Sequence, residues 1–487
     1  MEHLTTLDAG FLKAEDSDRH VSLAIGAVAI IDGPPPDYNR LKAALAERIR
    51  AIPRCTQVLR THPFDMGPPE WVDDPGFDLN HHIRRVALPR PRDDAELFRV
   101  VADVLERRLD RDRPLWECWV IEDLKGNQWA ILMKIHHCVV DGISTTHLLT
   151  RLSDDADGDL FVNHHGTKQT STSRTYRPSV PGLNPLNWAD NLWRASGVII
   201  NAAAWAAAGA AELAAGLIRP AGASSLSGPV TTMRRYTAVR VPLAAVDNVC
   251  RKFGVTVNDV ALAAITEGFR TVMLHRGEQP RPDSLRTLVP ISVRSADAID
   301  TPDNRLSIML PYLPVEQDDP VQRLRTVHSR LTRTKHSGQR QAGRMFVSAA
   351  NHIPFMVSAW AIRLLTRLPQ RGIVTLTTNV PGPRHRLQMM GHQVIRVLPI
   401  TPIALGLRTG IAVLSYADDL VFGITADYDG APDVDELANG IELAVARLEA
   451  LTQDSVLLFG SDARDDAGRV TAARVPPADR RPPHREP

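Results

Sequence analysis

The run His136-His137-Cys138-Val139-Val140-Asp141-Gly142 holds the side chains of this chain best suited to chemistry. Histidine has an ordinary pKa near 6.5, so it can take up and return a proton at neutral pH. Beside an alcohol attacking a carbonyl, it can accept the hydroxyl proton and pass it to the leaving group. Such general catalysis typically contributes about 10²–10⁴-fold. Asp141, four residues after His137, can hold the loop through an ion pair or turn hydrogen bonds, and Gly142 permits the backbone to bend. The reaction class these residues suit is acyl transfer to oxygen.

A pair of histidines alone is weak support. Two other pairs occur, His81-His82 and His164-His165, and neither is followed by Asp-Gly. A metal reading of His137 and Asp141 lacks a third ligand at a recognisable spacing, so no metal is expected. The sequence has no G-x-S-x-G elbow, no G-x-x-x-x-G-K-[ST] loop and no G-x-G-x-x-G turn. Cys138 reads as a small apolar filler rather than a nucleophile, because buried free cysteine is common.

The elements that must hold this run follow from hydrophobic spacing. Residues 129–135 are an apolar strand that delivers the two histidines at its end, paired through a Lys125-Gly126-Asn127 turn with a strand at 117–122. A base at a strand end is held by a rigid sheet yet faces the side where loops gather. Helices are expected at 38–50, 93–109 and 143–152, and a strand at 21–32. A second strand–helix series starts near Arg235. Gly254 should close its first helix, and Thr256 with Asp259 three residues on should cap the next, 257–274. Further strands are expected at 285–294, 306–313, 373–378 and 420–427, with a closing helix at 433–451.

The fold class is α/β, with an N-terminal domain over 1–155 and a C-terminal domain over 231–458. Between them lies a linker, 156–230, holding an alanine-rich helix; the tail 459–487 lacks periodicity and reads as disordered. The 487 residues suit two domains. Hydrophobic residues at 44% and charged residues at 23% describe a globular chain, and a net charge of +1 gives no field that would attract nucleic acid. Four scattered cysteines, Cys55, Cys118, Cys138 and Cys250, form no CxxC pair and fit a reducing cytoplasm. The first 19 residues carry Asp8, Glu15, Asp16 and Asp18 without an apolar core, so no signal peptide is expected. Residues 194–219 are long enough to span a bilayer, but their alanines are weakly apolar. A helix packed on protein, or lying at a lipid surface, is the expectation there.

His136-His137-x-x-x-Asp141-Gly142 resembles the HHxxxDG signature of CoA-dependent acyltransferases and of peptide-synthetase condensation domains. Around it, Arg113-Pro114-Leu115-Trp116-Glu117 looks like the PLW element of the bacterial wax ester synthase/diacylglycerol acyltransferase family. Leu7-Asp8-Ala9 with Phe11, and Trp71-Val72-Asp73-Asp74-Pro75 with Phe77-Asp78, resemble its N-terminal blocks. Val257-Asn258-Asp259-Val260 is similar to its ND element. Residues 289–294 and Asn379-Val380-Pro381-Gly382-Pro383 are similar to two C-terminal elements. The resemblance runs in order over residues 1–455 and is nearest to the triacylglycerol synthase branch.

The resemblance implies two chloramphenicol-acetyltransferase-like domains with the HHxxxDG loop at their interface and a channel on either side. It implies acyl-CoA as co-substrate, no other cofactor, and diacylglycerol or a long-chain alcohol as acceptor. His137 would be the base, His136 supporting and Asp141 structural. Asn258, at a helix start, could orient a substrate oxygen, although helix starts favour asparagine anyway. Gly142, Asp259, Pro381 and Gly382 would shape the substrate site, and either Arg294 or Arg305 would pair with Asp141. The product is then triacylglycerol or a wax ester, with a non-catalytic lipid-binding protein on the same scaffold as a third reading. The lipid acceptor implies peripheral contact with a membrane or lipid droplet, for which residues 188–218 are the candidate.

Overall fold

The computed structural model describes residues 2–4, 6–62, 67–139, 145–155, 224–292, 306–336, 372–404 and 406–460. Asp141, Gly142, His164-His165, Arg294, Arg305, the alanine-rich segment and the tail beyond Gly460 lie outside them; the closing helix runs on to Gly460, past the expected end at 451 and into the first two residues of the expected tail. The N-terminal half runs β1 (Glu2–His3), α1 (Thr6–Ser17), β2 (Ala24–Asp32), α2 (Tyr38–Arg50), β3 (Gln57–Arg60), β4 (Glu70–Asp73), β5 (Ile83–Ala87), α3 (Asp94–Glu106), β6 (Trp116–Leu124), β7 (Gln128–His136) and α4 (Thr145–Leu152). The C-terminal half runs β8 (Arg234–Pro242), α5 (Leu243–Phe253), α6 (Val257–His275), β9 (Thr287–Ser292), β10 (Leu306–Met309), α7 (Pro320–His336), β11 (Thr375–Pro381), β12 (Gln388–Met389), β13 (His392–Ile400), β14 (Thr409–Tyr416), β15 (Asp419–Asp427) and α8 (Val434–Gly460).

Two six-stranded sheets result. One has the order β12-β13-β2-β7-β6-β5 and the other β10-β9-β11-β14-β15-β8; β1, β4 and β3 form a small third sheet. In the first sheet β7 is central, between β2 and β6, and covered on both faces, which is why its run reads as continuously apolar rather than alternating. Lys134 sits inside that run with its side chain buried. Its Nζ donates to Val104 O at 2.7 Å and to Arg107 O, so the cation caps the carbonyl end of α3. The β6–β7 turn carries Gly126 at φ 83° and Asn127 at φ 57°, a left-handed pair that tolerates few other residues.

The C-terminal half lends β12 and β13 to the N-terminal sheet, with β13 antiparallel to β2. The sheets also touch face to face. Tyr236 of β8 and Val421 of β15 share an apolar cluster with Val28, Leu132 and the buried stripe of α3, and the Tyr236 hydroxyl donates to Pro399 O at 2.9 Å.

Local signals anticipated much of this. Gly254 ends α5 in the left-handed region at φ 67°, and Thr256 with Asp259 forms a complete capping box at the start of α6. The acidic N-terminus is α1, an amphipathic helix whose buried side includes Asp8 and Glu15 as well as Leu12. Strands β13 and β14 and the arginine-rich α7 also lie beyond the sequence reading.

Candidate active site

Strand β7 ends at His136, and a short 3-10 turn, His137–Val139, follows. Both histidine backbones are anchored. His136 N–H donates to Leu115 O at 2.9 Å, and His137 N–H donates to Leu23 O at 3.1 Å. Leu115 belongs to the Pro114-Leu115-Trp116 element, which therefore bears on the site through its backbone. Trp116 itself is core: it is 1% exposed, donates from Nε1 to Cys55 O at 2.8 Å, and stacks on His82. His82 is in turn held by Nδ1 at 2.8 Å from Trp116 O, a structural task that explains that histidine pair.

The two histidines of the turn have different surroundings. His136 is fully enclosed. Its Nδ1 accepts from Cys138 N–H at 3.2 Å and lies 2.9 Å from the Cys138 thiol, while Nε2 stands 3.5 Å from Glu15 Oε2. His137 keeps partial access to solvent, but its Nδ1 is sealed and has no hydrogen-bond partner among the described residues. Its ring stacks on Phe11 with centroids 4.0 Å apart. Burial, reinforced by the neighbouring His136, lowers the His137 pKa to about 4. An imidazole so held is neutral at pH 7 and keeps a nitrogen lone pair. Burial, with the carboxylates of Asp8 and Glu15 adding to it against Arg111, keeps the Cys138 thiol protonated, its pKa raised well above the usual range.

Helix α1 packs against this turn and supplies what the sequence reading did not assign. Glu15 is 2% exposed, and its Oε2 meets Arg111 Nη2 at 2.5 Å. Burial would raise its pKa, but His136, the Leu23 N–H and Arg111 outweigh it and hold the carboxyl at about 2. Asp8, Leu12 and Glu15, spaced i, i+4 and i+7, share one face of the helix, and that spacing is the signal that could have found it.

Asn258 lies in the first turn of α6, and Asn379 near the end of β11 donates from Nδ2 to its Oδ1 at 3.3 Å. That leaves the Asn258 amide nitrogen without a partner among the described residues. Val380, the next residue along β11, packs against the same apolar cluster as Ile135 and Cys138. Asp259 faces away into the fold. Its Oδ2 accepts from Thr256 N–H and from the Thr256 hydroxyl, and lies 2.8 Å from His328 Nδ1. Gly382 N–H donates to Ser415 Oγ at 3.2 Å, and a Cβ there would sit 2.3 Å from Ser415 O, so only glycine fits. Pro381 precedes it, exposed at the strand end. A cavity of about 620 Å³ lies elsewhere, bordered by Arg276, Glu278, Arg408 and Asp427, and touches none of these residues. Among the described residues no three His, Cys, Asp or Glu cluster as a metal site would, and no helix is long and apolar enough to cross a membrane.

Residues 4–261 match the family described as "Wax ester synthase/diacylglycerol acyltransferase catalytic domain", and residues 303–449 match its C-terminal domain, "WS/DGAT C-terminal domain". The chain belongs to the wax ester synthase/diacylglycerol acyltransferase family. It is 57% identical over 453 residues to "Probable diacyglycerol O-acyltransferase tgs1" of Mycobacterium tuberculosis, covering 93% of this chain and 97% of that one. The solved structure of a wax ester synthase/diacylglycerol acyltransferase from Marinobacter aquaeolei VT8 superposes with a TM-score of 0.64 at 24% identity, covering 93% of this chain and 100% of that one. The first condensation domain of the calcium-dependent antibiotic synthetase, in complex with a substrate analogue, gives 0.59 at 16% identity, covering 92% and 96%. The family thus shares its fold with condensation domains, as the HHxxxDG resemblance implied, and the chain follows the triacylglycerol synthase branch.

Proposed function

We propose that this chain transfers an acyl group from acyl-CoA to the free hydroxyl of diacylglycerol, giving triacylglycerol and CoA by direct transfer with His137 as general base. The geometric observation that carries the reading is the imidazole of His137, sealed at Nδ1, stacked on Phe11 and held neutral by burial. The choice of acceptor is supported by the name of the 57%-identical mycobacterial relative.

With Nδ1 closed off, Nε2 is the nitrogen that would meet the acceptor hydroxyl. It takes the hydroxyl proton as the oxygen attacks the thioester carbonyl. The carbon–sulfur bond then breaks, and the departing CoA sulfur receives that proton. The amide nitrogen of Asn258, unpartnered among the described residues, is suited to donate to the oxygen that gains charge, with Asn379 fixing its orientation. Asp141 and Gly142 would shape the loop beyond the turn. Pro381 and Gly382 form a rigid strand end, and Asp259 serves by holding the start of the helix that carries Asn258. Contact with a membrane or droplet surface, through residues 188–218, fits a lipid acceptor. Deleting that segment should lower partitioning onto lipid, and unchanged partitioning would rule it out.

The test of the base is His137→Ala assayed with labelled acyl-CoA and diacylglycerol, where transfer should fall at least about a hundredfold. Retained activity would falsify the assignment. Because the family description spans both products, long-chain alcohols and diacylglycerol should be offered together in one assay. Preferential labelling of the wax ester would overturn the acceptor.

A further inference from the structure

One carboxylate reaches both histidines of the turn. Glu15 Oε1 accepts from Leu23 N–H at 3.0 Å, and Leu23 O accepts from His137 N–H at 3.1 Å. Glu15 Oε2 faces Nε2 of His136 at 3.5 Å, long for a hydrogen bond but the only acceptor that enclosed nitrogen meets among the described residues. The other side of the ring fixes where its hydrogen lies. Nδ1 accepts the Cys138 N–H, and the neighbouring thiol, which stays protonated, adds a second donor at 2.9 Å. Two donors aimed at Nδ1 require a lone pair there, so the hydrogen is on Nε2 and points at the carboxylate. Arg111, at 2.5 Å from Oε2, supplies the counter-charge that lets the acid remain ionised inside the protein.

We infer that Glu15 is a positioning residue of the acyl transfer: it holds His136 as the neutral tautomer with hydrogen on Nε2 and, through Leu23, fixes the backbone from which His137 works. This rests on the reading of His137 as base. An orienting carboxylate next to a catalytic imidazole acts on it directly; here it acts one residue removed, on the ring and strand end that set the direction of His137.

The experiment is Glu15→Gln in the full chain. The amide keeps the shape and an oxygen for Leu23, but turns an N–H donor toward His136 Nε2. The ring must then shift its hydrogen to Nδ1 and give up the Cys138 N–H. With the reacting groups displaced, kcat should fall at least about tenfold, while KM for acyl-CoA stays within about threefold because binding is untouched. In protein labelled with nitrogen-15 histidine, the two ring-nitrogen resonances of His136, assigned by their loss in His136→Gln, should exchange character. An unchanged kcat, or His136 resonances identical to wild type, would overturn the inference. If the single variant fails to fold because Arg111 is left with a diminished partner, Glu15→Gln with Arg111→Gln removes both charges, and the same two readouts decide. A His137→Ala enzyme that keeps its activity would sink the base instead, and the His136 resonances would still judge Glu15 separately.

Discussion

The phenyl ring of Phe11 lies on the imidazole of His137, centroids 4.0 Å apart and planes 26° apart. The stack closes one face of the imidazole and limits how far the ring can turn. Phe11→Ala should lower kcat about tenfold or more, since small misplacements of a reacting group are costly. Phe11→Leu, which keeps apolar cover without the flat contact, should lose less. Steady-state rates for the two variants check the order; equal rates for Ala and wild type would remove the stack from the mechanism.

The lowered pKa of His137 makes two pH predictions. With His137 as the proposed base the neutral imidazole would be the active form, so kcat/KM should hold on acidification and fall only near the value of about 4, rather than at the usual 6.5. Stability, in contrast, already declines in the window where activity holds. The unfolded chain binds a proton at His137 near pH 6.5 that the folded chain refuses until about 4, so stability is lost as pH falls between those values and not further below. Glu15 adds its own loss lower down. Its folded value of about 2 lies beneath the usual 4.5, so its contribution is complete above about 4.5 and disappears as pH drops toward 2. Urea melts from pH 7 to 4 should slope less in His137→Gln than in wild type, and parallel slopes would contradict the assignment.

What the sequence made legible was local. The Lys125-Gly126-Asn127 hairpin, the Gly254 helix end, the Thr256–Asp259 capping box and the placement of His136-His137 at a strand end all arise from a few neighbouring residues, and each is present. What escaped is long-range or internally contradictory. Strand β13 pairs with β2 across more than half the chain, and nothing near residues 392–400 announces a partner in the other half. Helix α1 hides its identity because its buried side carries two acids, and one of them, Glu15, makes sense only once Arg111 and His136 are brought to it. Asp259 reads as part of a substrate motif, yet its carboxylate is shared between Thr256 and His328. That partnership requires α7, which the sequence reading did not place.

Asn258 and Asn379 separate a donor from its support. Asn258→Ala removes the amide nitrogen that has no partner among the described residues and, if that nitrogen is the proposed donor to the developing oxyanion, should cost about a hundredfold in kcat. Asn379→Ala leaves that donor in place but releases it, and a loss of about tenfold is expected for imperfect orientation. Asn258→Asp keeps the acceptor that Asn379 uses while deleting the donor, so it should resemble Asn258→Ala. Activity near wild type in Asn258→Asp would show that the donor is not used.

The seam between the two sheets is the last feature open to a direct test. Gly423 lies mid-strand in β15, opposite Ala412 and Ala238, and a Cβ there would stand 1.8 Å from Pro399 O and 2.9 Å from the Tyr236 hydroxyl. The atoms it would meet include backbone of β13, the strand lent to the other sheet, so no side-chain rotation makes room. Gly423→Ala must therefore part the sheets, and a loss of about 3 kcal/mol or more is expected, at the upper end of overpacking costs. Tyr236→Phe removes only the hydroxyl that donates to Pro399 O and with it one buried hydrogen bond across the seam. Its cost should be about 1–3 kcal/mol. Thermal melts rank the two. Because β13 adjoins β2, and β2 adjoins the strand that ends in His136, Gly423→Ala should also lose activity below its own melting temperature, while Tyr236→Phe should keep it. Full activity in folded Gly423→Ala would mean that the seam does not set the geometry of the histidine turn.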